Sequence, residues 1–190
     1  MKFVDAHYTQ TLEIKQSKFI SHLIPYSLYE KTLQELKLLH PKARHFVVAY
    51  RYFNEFKQIV EHSSDDGEPK GTSGKPTLMV LQGKGLINSA IITVRYFGGT
   101  KLGTGGLVRA YSDATNLVLN TAELYEYKDE ISKTIIFEYA NIRKVEYECL
   151  ECKVEILEKK FSDITEYILK SDDKSMYNFL NKLDRLVTVV

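Results

Sequence analysis

The apolar positions change period several times along the chain, and each change marks a predicted element. Residues 10–26 alternate around Leu12 and Ile14, then around Phe19 and Ile20, with polar residues 15–18 between them, which predicts a β-hairpin. Tyr29, Leu33 and Leu36 recur at helical spacing behind Ser27, which forms a capping-box pattern with Glu30, and His40-Pro41 closes the helix. Two strands follow, 45–53 and 58–64, joined by a turn at 54–57. Pro76, Leu78, Val80 and Leu81, with Gly83 and Gly85 as stops, predict a short helix. The run 86–97 is dense in β-branched and apolar residues and reads as a buried strand. A long helix, about 106–124, sets Leu107, Ala110, Tyr111, Ala114, Leu117, Val118 and Ala122 on one face.

Past Tyr125 the pattern restarts. Residues 126–132 are polar, and no glycine or proline occurs after them. A strand at 133–139 leads to a helix from Asn141 with Ile142, Val145 and Cys149 inward, then to strands 151–158 and 161–169. The next helix is capped by Ser171, carries Asp172 and Asp173 in its first turn, and gathers Met176, Phe179, Leu180 and Leu183 on one face before a strand at 186–190. That order, β-α-β-β-α-β, is the ferredoxin-like one. The fold class is α+β with two domains, 1–128 and 129–190, each expected to hold its own core.

Composition excludes more than it selects. With 190 residues, 44 % of them hydrophobic and 27 % charged, the chain suits one large domain or two small ones in water. A net charge of +1 means that nucleic-acid binding has to rest on local charge. No apolar stretch approaches the roughly 18–20 residues that span a bilayer. The opening MKFVDAHYTQ lacks a signal-peptide core, and the two cysteines give no disulfide framework. A cytoplasmic protein without membrane contact is expected.

Local charge is where the chain is unusual. All ten glycines lie between Gly67 and Gly106, and residues 69–112 contain no carboxylate but include Lys70, Lys75, Lys84, Arg95, Lys101 and Arg109. Free amides in a basic surround suit an anion. The stretch GGTKLGTGGLVRA leads from a strand into a helix, as phosphate loops do. It is not a Walker loop, because Thr104 stands where the lysine belongs, nor a dinucleotide fingerprint, because Val108 stands at the third glycine. The competing reading is that these glycines make tight turns and let helix and strand pack closely. The candidates for phosphate or nucleic-acid binding are Lys70, Gly71, Thr72, Lys75, Arg95, Tyr96, Phe97, Gly98, Gly99, Lys101, Gly103, Gly105, Gly106 and Arg109.

Further candidates surround them. Asp65, Asp66 and Glu68 have the chemistry of general acids or magnesium ligands, and also of ordinary turns. Arg51-Tyr52-Phe53 and Arg95-Tyr96-Phe97 each put a cation and two aromatics at a strand end, resembling a surface that stacks bases and holds phosphates. The histidines show no ligand spacing; His62, just before the acidic loop, is the one to test. Cys149-Leu-Glu-Cys152 reads as a structural pair, Cys149 on a helix face and Cys152 at a strand start. Neither a metal nor a cofactor is assigned.

The segments SSDDGEPKGTSGKP and RYFGGTKLGTGGLVRAYSDA, with ARHFVVAYR at 43–51, resemble the signature of the IMPACT family in its bacterial, YigZ-type form. The resemblance covers about residues 17–125. It implies a first domain with the fold of domain IV of elongation factor G, shared with GHMP-type small-molecule kinases. It also implies a ferredoxin-like second domain similar to domain V of that factor. Eukaryotic members are linked to translation control through a regulator of the starvation-responsive initiation-factor kinase. That interaction also involves an additional domain, so the partner is not carried over. The expected function is a translation-associated RNA- or ribosome-binding protein, with a protein partner in translation control as a further expectation. The alternatives are an enzyme acting on a phosphorylated small molecule or nucleotide, with Asp65, Asp66 or Glu68 as acid/base or metal ligand, and a protein-interaction adaptor. The oligomeric state stays open. Residues 65–76 and 97–109 are expected to converge on one anion-binding surface, with the three carboxylates at its rim or holding the loop.

Overall fold

The computed structural model describes residues 1–190, which divide into two compact units, Met1–Tyr127 and Lys128–Val190. After a short strand β1 (Lys2–Phe3), strands β2 (Tyr8–Ile14) and β3 (Ser17–Pro25) pair across a two-residue turn. Lys15 and Gln16 both have positive φ there, the conformation whose twist matches paired strands. The predicted capping box does not form. A 3-10 turn takes Tyr26–Leu28, so Ser27 lies inside it, and helix α1 (Tyr29–Leu39) starts without a side-chain cap. His40 ends that helix as expected.

Strands β4 (His45–Phe53) and β5 (Ile59–Ser64) form a second hairpin, followed by α2 (Gly74–Gly83), β6 (Ser89–Tyr96), α3 (Gly103–Thr121) and β7 (Tyr125–Glu126), which pairs with β1. The five-stranded sheet has the order β2-β3-β6-β4-β5, with every neighbour antiparallel. Its centre is β6, buried along nearly its whole length, which explains the unbroken apolar run. Alternation sorts the faces. Leu23, Ala49 and Ile91 pack with Leu81 of α2 and Val118 of α3. Ile24, Val48 and Ile92 turn the other way, against Leu36 of α1. Each such aliphatic side chain stabilises the fold by roughly 1.5–3 kcal/mol relative to exposure.

The second unit runs β8 (Glu130–Phe137), α4 (Ile142–Cys152), β9 (Glu155–Phe161), β10 (Thr165–Asp172), α5 (Asp173–Lys182) and β11 (Thr188–Val189). Its antiparallel sheet has the order β11-β8-β10-β9, the split β-α-β arrangement. Ile135, Phe137, Val145, Cys149, Tyr167, Leu169, Met176 and Phe179 form its core. Asp172, not Ser171, caps α5, accepting from the Ser175 amide at 2.9 Å. Cys152 is the last residue of α4 rather than the first of a strand, because the left-handed Lys153 (φ 57°) ends the helix one residue later. Both cysteines are free, and burial first of all pushes the Cys149 thiol up to about 12. No helix is long and apolar enough to cross a membrane.

Candidate anion-binding site

The loop between β5 and α2 is built around Asp65. Its carboxylate accepts from the amides of Gly71 (2.7 Å), Ser73 (3.1 Å) and Gly74 (2.8 Å) and from the Ser73 hydroxyl (2.6 Å). Burial raises the Asp65 pKa, but these hydrogen bonds outweigh it and hold the carboxyl below its ordinary value. Asp65 therefore fills the α2 N-terminus with the chain's own anion. Asp66 accepts from the Phe46 amide at 2.6 Å, tying the loop to the start of β4. Glu68 is buried: its Oε1 accepts from Arg95 Nη1 at 2.5 Å and from the Tyr111 hydroxyl at 2.8 Å.

These bonds correct several sequence expectations. Asp65, Asp66 and Glu68 hold the loop, one of the two places expected for them, and are spent doing so, which displaces the alternative of free acid/base groups or metal ligands. Gly71 gives its amide to Asp65, while buried Thr72 gives both its amide and its hydroxyl to the Pro69 carbonyl. Arg95 is a buried counter-ion, not a phosphate contact, because Glu68 comes in from the loop to meet it. Glu68 does bring the loop, β6 and α3 together at one end of the sheet.

At that end the strand registers collect cations. Arg95 pairs with Phe19 on one side and with His45 on the other, so the β2–β3 turn, the start of β4 and residues 97–101 lie together. Leu107 and Tyr111 pack with Phe19 and Ile14, which puts the N-terminal half of α3 there too. Lys70, Lys75, Lys101 and Arg109 are exposed and make no ion pair. The sequence reading missed four more exposed, unpaired cations, Lys15, Lys18, Lys42 and Arg44. The only signal for them was position next to a predicted turn or strand start. Two carboxylates remain at this end: Glu13, which sits across from Lys18, and exposed Asp113, one helical turn beyond Arg109 on α3. Cations grouped this way raise the local concentration of an anion.

The glycines divide into two groups. A Cβ on Gly98 would lie 2.0 Å from the Gln16 carbonyl carbon, and one on Gly74 2.8 Å from the Ser64 backbone, so close approach requires both. Gly67, Gly71, Gly85, Gly99 and Gly103 have positive φ. Close packing and turns thus account for most of the cluster, as the competing reading held. Gly105 differs: a Cβ there would meet nothing within 4 Å. It lies in the first turn of α3, which begins at Gly103 and not near 106. The three glycines 103, 105 and 106 are the helix's opening residues, not a loop before it. No side chain caps that end.

The aromatic triplets separate. Because β4 and β6 are antiparallel, Arg51 pairs with Ser89, and Tyr52-Phe53 falls at the opposite end of the sheet from Tyr96-Phe97. Arg51 is buried and donates to Glu61 at 2.7 Å and to the Leu86 carbonyl at 2.6 Å. Tyr52 stacks on Tyr26 with centroids 4.0 Å apart, and His62 stacks on Tyr50. Tyr96 shares a hydrogen bond with His40 Nδ1 at 2.9 Å, whereas Phe97 is 55 % exposed. No group of three or more histidine, cysteine or acidic side chains is arranged to hold a metal.

Similarity to known proteins covers this whole arrangement. A family model described as the Impact N-terminal domain matches residues 15–119. An IMPACT family member of Haemophilus influenzae is 36 % identical over 90 % of this chain and 84 % of its own. YigZ of Escherichia coli, another member, is 34 % identical over 82 % of this chain and 78 % of its own. The crystal structure of a hypothetical protein aligns over 100 % of this chain and 95 % of its own at 28 % identity, with a TM-score of 0.66. The chain belongs to the IMPACT family.

Proposed function

We propose that this protein is a cytoplasmic, translation-associated factor that binds RNA or the ribosome through the basic end of its first sheet. One observation carries the reading: Lys101 and Arg109 stand with other unpaired cations where the loop carboxylates Asp65, Asp66 and Glu68 are engaged within the fold, leaving only Glu13 and Asp113, one helical turn from Arg109, as free acids against them. The uncapped first turn of α3 adds unpaired N–H groups, worth about 0.3–1 kcal/mol to a nearby anion. The bare Gly105 leaves room for close approach. A relationship of the first unit to domain IV of elongation factor G, and the link to translation control, enter with the family resemblance and are part of this proposal. The enzyme reading loses its acid/base groups, since Asp65, Asp66 and Glu68 are held by the loop, β4, β6 and α3.

Filter binding of total RNA by the full chain, with salt varied, tests this. Phosphate contacts release counterions, so the logarithm of the binding constant is expected to fall linearly with that of salt concentration. Absence of binding at low salt would remove the proposal.

A further inference from the structure

We infer that the nucleic acid taken at this end of the sheet is single-stranded, and that Phe97 is the platform on which one of its bases stacks; this rests on the reading above. Phe97 is 55 % exposed and belongs to none of the apolar clusters. Other exposed aromatics exist, but within the first unit Phe56 lies in the β4–β5 turn, at the far end of the sheet. Phe97 alone combines exposure with the unpaired cations. Its neighbour Tyr96 is tied to His40 and half-buried.

The backbone that carries the ring is fixed. The Gly98 amide donates to the Ser17 hydroxyl at 3.1 Å, and the Gly98 Cα lies so close to Gln16–Ser17 that no side chain fits there. The guanidinium of buried Arg95 lies 5.9 Å from the ring centroid, within cation–π range. The ring is thus backed by the protein on one side and open on the other. Lys101, four residues on, supplies charge for the backbone of a strand whose base sits on the ring. An open aromatic face beside unpaired cations is the composition of single-strand platforms. A duplex keeps its bases stacked inside and has none to offer the ring.

The test uses the full-length chain with poly(U) and with the poly(A)·poly(U) duplex. Phe97→Leu keeps an apolar side chain but removes the π-face. It should weaken poly(U) binding by roughly 5- to 150-fold, the span of one base–aromatic stack, and leave duplex binding and both salt slopes unchanged. The chain contains no tryptophan, so Phe97→Trp introduces one reporter, whose fluorescence should be quenched by poly(U) and not by the duplex. Equal loss on both polymers, no loss on poly(U), or quenching by the duplex would overturn the stacking inference while leaving the cation-based reading in place. Failure of the unaltered protein to bind either polymer would overturn both.

Discussion

Arg95 donates to Glu68 at 2.5 Å in the interior of the first unit, with both side chains nearly inaccessible. This pair, with Tyr111 on the same carboxylate oxygen, joins the loop after β5 to β6 and α3. Burial first, then the Glu68 charge, pushes the Tyr111 pKa up, so the phenol stays a donor. Arg95 Nε has no partner of its own, so the guanidinium depends on Glu68. Glu68→Gln should then destabilise the protein by about 3–5 kcal/mol, the usual cost of leaving a buried charge alone. Replacing both partners together, Glu68→Leu with Arg95→Met, should cost less. Urea unfolding measures both; a single variant as stable as the unaltered chain would contradict the assignment.

Two glycines should respond in opposite directions. Gly98→Ala forces a Cβ into the Gln16–Ser17 backbone, and it should abolish folding or lower stability severely. Gly105→Ala meets nothing and removes backbone freedom in a helix, so it should stabilise the fold by about 0.5–1 kcal/mol. If Gly105 keeps the α3 amides open to a ligand, the same change should weaken RNA binding. Thermal melts and filter binding on the two variants separate packing from function.

The architecture was largely legible in the sequence, because period and turn chemistry agreed. β4 occupies the predicted residues, 45–53. The chemistry was less so, and the reasons are specific. Gly103 to Gly106 read as a loop because glycine is a poor helix former, yet they form the first turn of α3. Arg95 read as a phosphate contact because Glu68, its partner, is separated from it by 27 positions. The two aromatic triplets looked equivalent along the chain, and only the antiparallel pairing of β4 and β6 sends them to opposite ends. Lys15, Lys18, Lys42 and Arg44 lie outside the glycine-rich stretch, and register alone brings them alongside it.

His22 should make stability depend on mild acid. It is buried, with Nδ1 3.0 Å from His7 Nε2 and from the Thr9 hydroxyl, and its Nε2 lacks a partner. Burial, then the neighbouring His7 and His40, push its pKa from 6.5 down to about 4. A base with a depressed folded-state pKa takes up its proton more readily when unfolded. Its contribution is therefore complete above pH 6.5 and is lost as pH falls toward about 4. The expected slope is about 1.4 kcal/mol per pH unit across that window. An NMR titration should place the folded-state midpoint of His22 near 4; a midpoint near 6.5 would contradict the burial.

The most direct measurement is the salt dependence of RNA binding by the Lys101→Ala/Arg109→Ala variant. Both side chains are exposed and unpaired, so their removal leaves the cores untouched and the circular dichroism and melting temperature close to those of the unaltered chain. If both contact phosphates, affinity should fall at every salt concentration, and the slope of log binding constant against log salt should lessen by about 0.7 for each contact on a single strand. Unchanged affinity with an unchanged slope in the folded variant would contradict the claim that this end of the sheet is where the protein meets its polyanion.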